Sequence, residues 1–480
     1  MPAPGGTQAA HPRPWWKAAA LAAAALLPAA AFALGPHEVA LVVNDASMDS
    51  ILLARAYARL RSVPEGNIVR VSVPPAADGS TPVAMTRADF ESLVLRPVQA
   101  ELEERGIGPQ ILAWVYSCGF PARIVASEEG LADPGVLDLS ITGATFVRGA
   151  WPSDDQVKGG LYVSPLFAGP DGPDDPPLRP QSMDQLRNAL LDGMPLPAAM
   201  LAWVGPRGLT LDRAIEVLER SAESDCSGPS GTIWFARSDD IRSRCRDWQF
   251  AGAAAAVDAH ECARAVVATN TPPASAGALL GCMAGAAEVR VPKRFVPGSF
   301  AEHLTSFAAT FDRPTQTKAT HWLRGGAGFT SGTVAEPYAL WQKFPNAWIF
   351  PRLLDGLTEI EAWYQSVRCP LQQLPLGDPL AKPWAPALEP AVAGPEDGAS
   401  VSGRVEFRAS LPGQRAGKAP LVTWLVDGRA AGAGRTFVWD TARMEDGPHA
   451  VRAVIRDTRD GIRHQGFLER SFLVENGGIP

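Results

Sequence analysis

From Val39 onward, short runs of β-branched and aromatic residues alternate with longer stretches in which apolar positions recur three to four apart. That alternation predicts strands joined by crossover helices in a mostly parallel sheet. Residues 39–43 read as a buried strand. Residues 50–61 read as a helix carrying Ile51, Ala54, Tyr57, Ala58 and Leu60, stopped by Pro64, and 68–73 as a second strand. Thr86 is placed to cap a helix bearing Phe90, Leu93, Val94, Val98 and Leu102 and ended by Gly106, after which 111–116 is a third strand, completing a βαβαβ unit. Between about 122 and 195 the pattern fails, and Pro, Gly and Asp crowd into segments such as 169–177, which marks an insertion over the sheet. Alternation resumes with strand 199–204, helix 210–222, strand 232–236, helix 239–257 and strands near 265–268 and 278–282, a second half of the same α/β kind.

Past Lys382 a Pro/Ala-rich linker, about 385–395, leads into short β segments at 401–409, 422–426, 436–439, 450–456 and 467–474. Asp427-Gly428, Asp446-Gly447 and Asp460-Gly461 punctuate them. This predicts a small immunoglobulin-like β-sandwich over 396–480 with Trp424 and Trp439 in its core, following an α/β body over 34–384.

The start of the chain sets the expected compartment. Arg13 and Lys17 precede the nearly uncharged run 18–33, which closes on the small-residue triplet Ala31-Phe32-Ala33. This is the pattern of a secretory signal cut near Leu34, giving an exported product, periplasmic, cell-surface or extracellular; an uncleaved anchor is the alternative. No later run is long enough for a transmembrane segment. With 46% apolar residues the chain can bury a large core. A net charge of -7 without any dense Lys/Arg cluster excludes a nucleic-acid partner. The 6 cysteines are too sparse for a disulfide framework; Cys226 and Cys245 form the pair to test, with buried free thiols as the alternative. Oligomeric state leaves no mark in the pattern.

Candidate chemistry concentrates late in the α/β body. Cys282 falls at an expected strand end, where open α/β sheets gather ligands. His303 and His321 follow it as candidate bases that would raise a thiolate. Glu302 and His303 read as the start of a helix, with Thr305 and Ser306 adding polar density or simply capping it. The glycine-rich stretch 325–332, with Gly326, Gly328, Thr330 and Ser331, offers backbone amides to an anion, or glycines for close chain crossing; residues 334–343 beyond it look helical apart from Pro337. Glu336 and Asp378, each before a proline, and Asn44 in the polar turn after the first strand complete the ligand-binding candidates. A nucleotide P-loop lysine is absent, His260-Glu261-Cys262 is too short for a zinc helix, and 171–175 lacks the EF-hand spacing, so neither metal nor cofactor is expected.

The segments 299–307, 325–338 and 376–380, with 42–44 and 61–68, together resemble an uncharacterised family of exported proteins found in bacteria that carry the exosortase sorting system. The resemblance covers about 34–384 and implies an envelope setting without a defined reaction. A more distant likeness is to gingipain and caspase-like cysteine peptidases, carried by 279–285, by 299–302 opening a helix and by Gly377-Asp378-Pro379. That likeness implies a caspase-like fold in two halves with Cys282 in the nucleophile's place. The pattern's His-Gly pair is missing, since 265–271 holds no histidine and His260 lies upstream. The leading expectation is an exported protein whose α/β domain binds an envelope peptide or polysaccharide. A cysteine hydrolase using Cys282 with His303 or His321 is the first alternative, and a purely structural part in envelope polymer assembly the second.

Overall fold

The computed structural model describes residues 34–181, 183, 195–413, 419–459 and 462–477; the expected leader 1–33 and the Asp460-Gly461 turn lie outside them. Its centre is a ten-stranded, mostly parallel sheet. In chain order the body's strands are β1 (Val39–Asn44), β2 (Ile68–Val71), β3 (Ala84–Thr86), β4 (Ala113–Tyr116), β5 (Arg123–Val125), β6 (Leu139–Ser140) and β7 (Ala198–Met200). They continue as β8 (Gly231–Arg237), β9 (Ala263–Thr269), β10 (Leu279–Gly285), β11 (Phe295–Leu304), β12 (Phe329–Thr333) and β13 (Gln373–Gly377). The sheet order is β2-β1-β4-β7-β13-β12-β11-β10-β8-β9. Two parallel halves are therefore joined through β13, which runs antiparallel to β12 and meets β7 in the single pair Leu376–Met200.

Local chemistry explains most of these elements. β1 has every residue buried, as expected of a strand covered on both faces. Ser47 caps helix Met48–Arg61 by accepting from the Ser50 amide, and Thr86 caps the next helix by accepting from the Asp89 amide. Residues 122–195 contribute β5, which pairs with β3 and with β6 in a separate three-stranded sheet, and short helices Ile141–Phe146 and Asp154–Lys158.

Three expectations change. Residues 299–302 do not open a helix: 299–304 lie in β11, paired with β10 on one side and β12 on the other, and 305–307 begin the loop after it. Phe300, Glu302 and Leu304 alternate with Ala301 and His303 across the two faces, a period of two that tertiary burial on both sides had disguised. The first half of the glycine-rich stretch, 325–328, is a turn that leads directly into β12, which takes up the rest of it, and 334–343 carries only a short 3-10 turn at Trp341–Lys343. The long helix at 239–257 is broken into Ile241–Arg244 and Phe250–Asp258, with Arg246 in the break.

The chain ends in two further sheets built from β14 (Ala391–Ala393), β15 (Ser400–Val401), β16 (Arg404–Ser410), β17 (Leu421–Val426), β18 (Arg429–Ala433), β19 (Thr436–Asp440), β20 (Gly447–Arg459) and β21 (Ile462–Val474). Trp424 and Trp439 are buried in their shared core with Phe407 and Phe472. Asp427 and Gly428 both take positive φ, +50° and +78°, the geometry of a tight hairpin turn between β17 and β18.

This sandwich sits on the amino edge of the large sheet. Gln110, ahead of β4, donates to the Gly428 carbonyl at 2.7 Å and accepts from the Ala430 amide at 3.1 Å. Glu38, ahead of β1, accepts from Gln465 at 2.9 Å, and Arg452 donates to the Ser62 carbonyl at 2.7 Å. The opposite edge is left to loops of the body itself. Trp203, after β7, stacks on Phe311, after β11, with centroids 4.5 Å apart. Arg207 donates to the Phe311 carbonyl at 3.0 Å, and Arg313 pairs with Asp133 of the insertion. Both halves of the sheet thus send their carboxyl-end loops to one rim. Among the described residues no helix is long and apolar enough to cross a membrane.

The junction between halves depends on Gly377. Its φ is +118°, and a β-carbon there would stand 2.1 Å from the Gly328 carbonyl oxygen. Gly377→Ala should therefore cost on the order of 3 kcal/mol or more in a urea denaturation series, because backbone strain and a backbone clash add. An unchanged midpoint would contradict the proposed closeness of β12 and β13. Trp424→Ala should cost about 3–5 kcal/mol by the same measurement, through the cavity left in the sandwich core.

Candidate functional site

Cys282 occupies the fourth of the 7 positions of β10, not its end. It is fully buried in a small cluster with Leu279, Phe295, Ala301, Trp322 and Ala327. Burial, with the negative charge of Glu302 nearby, drives its thiol well above the ordinary range. A thiol so placed is neither ionised nor open to a carbonyl from solvent.

Glu302 and His303 project to opposite faces of β11. The Arg246 guanidinium lies 2.5 Å from the Glu302 carboxylate, each side chain 1% exposed. Arg246 also donates to the carbonyl of Ala284, next to last in β10, and to that of Pro345 at 3.3 Å. The cation left by the broken helix thus closes the ends of β10 and β11. Burial still pushes the Glu302 carboxyl up to about 7, against the pull of Arg246. His303 accepts at Nδ1 from the Trp322 indole N–H at 2.9 Å, which places its own proton on Nε2. Burial and the neighbouring Arg246 charge push this imidazole down to about 3. It is a neutral core histidine whose basic nitrogen is already engaged. His321, half-buried on helix Thr320–Arg324, is also shifted down by burial and by Arg324.

The remaining candidates separate. Gly326 has φ +104°, and a β-carbon on Gly328 would meet the Gly298 Cα at 2.6 Å, so these glycines serve close chain crossing at the amino end of β12. Thr330 and Ser331 are buried within β12. Asp378 stands at that same amino end, since Gly377 pairs with Phe329, whereas Glu336 follows Thr333 at the carboxyl end. The two acids therefore do not share a rim. Asp378 accepts from Arg61 Nε at 3.0 Å and from the Tyr57 hydroxyl at 3.3 Å. Asn44 is consumed by the backbone, donating to the carbonyls of Val73 at 3.0 Å and Gly119 at 2.7 Å and accepting from the Val73 amide at 2.9 Å. Neither Cys226 nor Cys245 is bonded; all six thiols are free.

Of the sequence candidates, Ser306 and Glu336 are at the open carboxyl rim. Ser306 begins a loop braced from within. Thr305 donates to Gln316 Oε1 at 2.6 Å, and Lys318 donates to the carbonyls of Phe307 and Thr315, both at 2.8 Å. Burial pushes this lysine down to about 8. Glu336 accepts from the Tyr338 amide at 2.9 Å. The sequence reading missed the rim's aromatic side chains. Tyr338 is 43% exposed. Trp341 is half-buried, lying edge-on to Trp248 with centroids 5.4 Å apart and 6.4 Å from Phe167, both also half-buried. Leu161 and Val163, preceding Phe167, are exposed as well. These residues come from three segments distant in sequence, around 161–167, 248 and 338–341, and no spacing joins them.

No protein-family model and no curated protein matches the chain. Among solved structures it is similar to gingipain R (RgpB), an Arg-specific cysteine proteinase, at TM-score 0.45 and 10% identity over 93% of this chain and 100% of that one. The complex of the pro- and mature domains of Porphyromonas gingivalis RgpB gives TM-score 0.45 at 8% identity, over 91% and 100%. The fibronectin(III)-like modules of Clostridium thermocellum CbhA match 18% of this chain and 98% of theirs at 19% identity and TM-score 0.15.

His303 gives a signed pH dependence. Between the ordinary histidine range and about 3, the unfolded chain binds a proton that the folded protein refuses. Stability should thus fall with acid by up to ~1.4 kcal/mol per pH unit from this residue. Denaturant midpoints at pH 7 and pH 4.5 should show a shallower loss in His303→Gln than in the unaltered protein; equal losses would mean that His303 is charged in the fold.

Proposed function

We propose that this is an exported envelope protein whose α/β domain holds an extended polymer, a polysaccharide or a peptide, along the carboxyl rim of its sheet without cleaving it. The observation that carries this is the cluster of half-exposed Phe167, Trp248 and Trp341 with exposed Tyr338 at the one sheet edge that the sandwich does not cover. Exposed apolar patches with polar surroundings mark binding surfaces, and rings supply large contact area at small entropic cost. Glu336, which accepts from the Tyr338 amide, provides a carboxylate beside it. Binding is favoured over hydrolysis because Cys282 is sealed inside the sheet and the acceptor nitrogen of His303 is already used. The sandwich, anchored on the opposite edge, would act as the spacer or adhesive module that presents the rim.

Titration with soluble envelope polysaccharide fragments and with extended peptides should give dissociation constants on the order of micromolar for one of the two, weakened about tenfold or more in Trp341→Ala or Trp248→Ala. Cys282→Ala should bind as well as the unaltered protein. Failure of both ligand classes to bind, or indifference to both tryptophans, would remove the proposal. In a parallel experiment, an acylating electrophile should leave the native protein unlabelled at Cys282 and label it only in denaturant. Rapid native labelling lost in Cys282→Ala would favour a cysteine hydrolase instead.

A further inference from the structure

Leu34 is only 2% exposed, and its backbone nitrogen donates to Glu361 Oε1 at 2.9 Å. Glu361 is fully buried and collects four donors: the amides of Leu34, Met183 at 2.8 Å and Thr358 at 3.0 Å, and the Thr358 hydroxyl at 2.6 Å. All four are neutral while the chain is continuous. Among the described residues no cation pairs with Glu361; a carboxylate buried in that way is costly, and hydrogen bonds relieve only part of that cost. The next residues are equally built in. Gly35 donates to Glu38 Oε2 at 2.9 Å, and a β-carbon on Gly35 would meet Gln465 of the sandwich at 2.6 Å. The segment starting at Leu34 is therefore locked between body and sandwich, at the very residue that follows the Ala31-Phe32-Ala33 triplet.

We propose that Glu361 is the receptor for a new chain terminus: cleavage of the Ala33–Leu34 bond yields a Leu34 α-ammonium that forms a buried ion pair with the Glu361 carboxylate. The inference rests on the export reading. A leader-cleaving endopeptidase supplies the hydrolysis. The amide C–N bond breaks, the hydroxyl of water completes the Ala33 carboxylic acid, and its hydrogen goes to the Leu34 nitrogen. That amine takes a further proton from solvent at neutral pH. The neutral donor to Glu361 becomes a charged one, and the charge-assisted bond is the stronger. Removal of the leader would in this way tighten the packing of the first segment between the two parts of the protein.

Two preparations separate this from the export reading. Mass spectrometry of protein recovered from the producing cells tests processing; a terminus at Leu34 is expected, and a retained leader would overturn the proposed cleavage. Independently, full-length mature protein released in vitro from a removable fusion so that it begins at Leu34 is compared with the same chain carrying a two-residue Ser-Ala extension. The Leu34 form should have an unfolding equilibrium constant smaller by on the order of tenfold. Glu361→Gln should erase that difference, and equal stability of the two termini in the unaltered protein would overturn the ion pair. Should Glu361→Gln fail to fold, the Leu34 amine itself reports. It should resist acetylation by an amine-reactive ester in native protein and react in denaturant, whereas native reaction at the rate of an exposed amine would overturn the proposal.

Discussion

The Arg246–Glu302 ion pair is the constraint around which the second half of the sheet is organised. Two opposite charges at 1% exposure can be neither separated nor individually removed without leaving one uncompensated in a low-dielectric interior, a loss of about 3–5 kcal/mol. The pair explains why the helix expected over 239–257 breaks: the backbone gives up helical hydrogen bonds to bring the guanidinium to Glu302 and to the Ala284 carbonyl. His303 is kept neutral first by its burial, and the Arg246 charge adds to that, since protonation would set a second cation beside the first. With the ends of β10 and β11 closed in this way, Cys282 stays in an apolar cluster.

Closure at the centre moves the available surface outward. The rim consists of loops from both halves, tied by the Trp203–Phe311 stack and the Arg207 contact, and of the aromatic group around Trp341. The amino edge is occupied by the sandwich, whose contacts with Glu38, Gln110 and Ser62 are polar and specific. In the proposed function a ligand would lie along the carboxyl rim, where exposed Tyr338 and half-buried Phe167, Trp248 and Trp341 offer surfaces for stacking.

Much of the architecture was legible in the sequence. The strand–helix alternation gave β1, β2, β4 and β8 nearly as they are, and the Asp-Gly punctuation located the hairpin at Asp427-Gly428. What misled was burial on both faces. In β11 the polar residues Ser299, Glu302 and His303 interrupt the apolar run so that a central strand reads as an amphipathic helix start. The glycines of 325–332 look like a loop because the close crossing of Gly328 with Gly298, which requires them, is a contact with a segment about thirty residues earlier. The candidate site was legible only in part for the same reason. Residue types suited to chemistry were visible, but the partner that neutralises Glu302 and the ring that occupies His303 come from other segments, and the aromatic rim is assembled from three distant ones.

Hydrogen exchange measured with and without a bound envelope polymer tests whether the carboxyl rim is the binding edge. Exchange should slow in the loops around 161–168, 247–249, 305–318 and 336–342, with β10 and the sandwich unchanged. Protection confined to the sandwich or the amino edge, or an opening of β10 that exposes Cys282, would contradict binding at that rim.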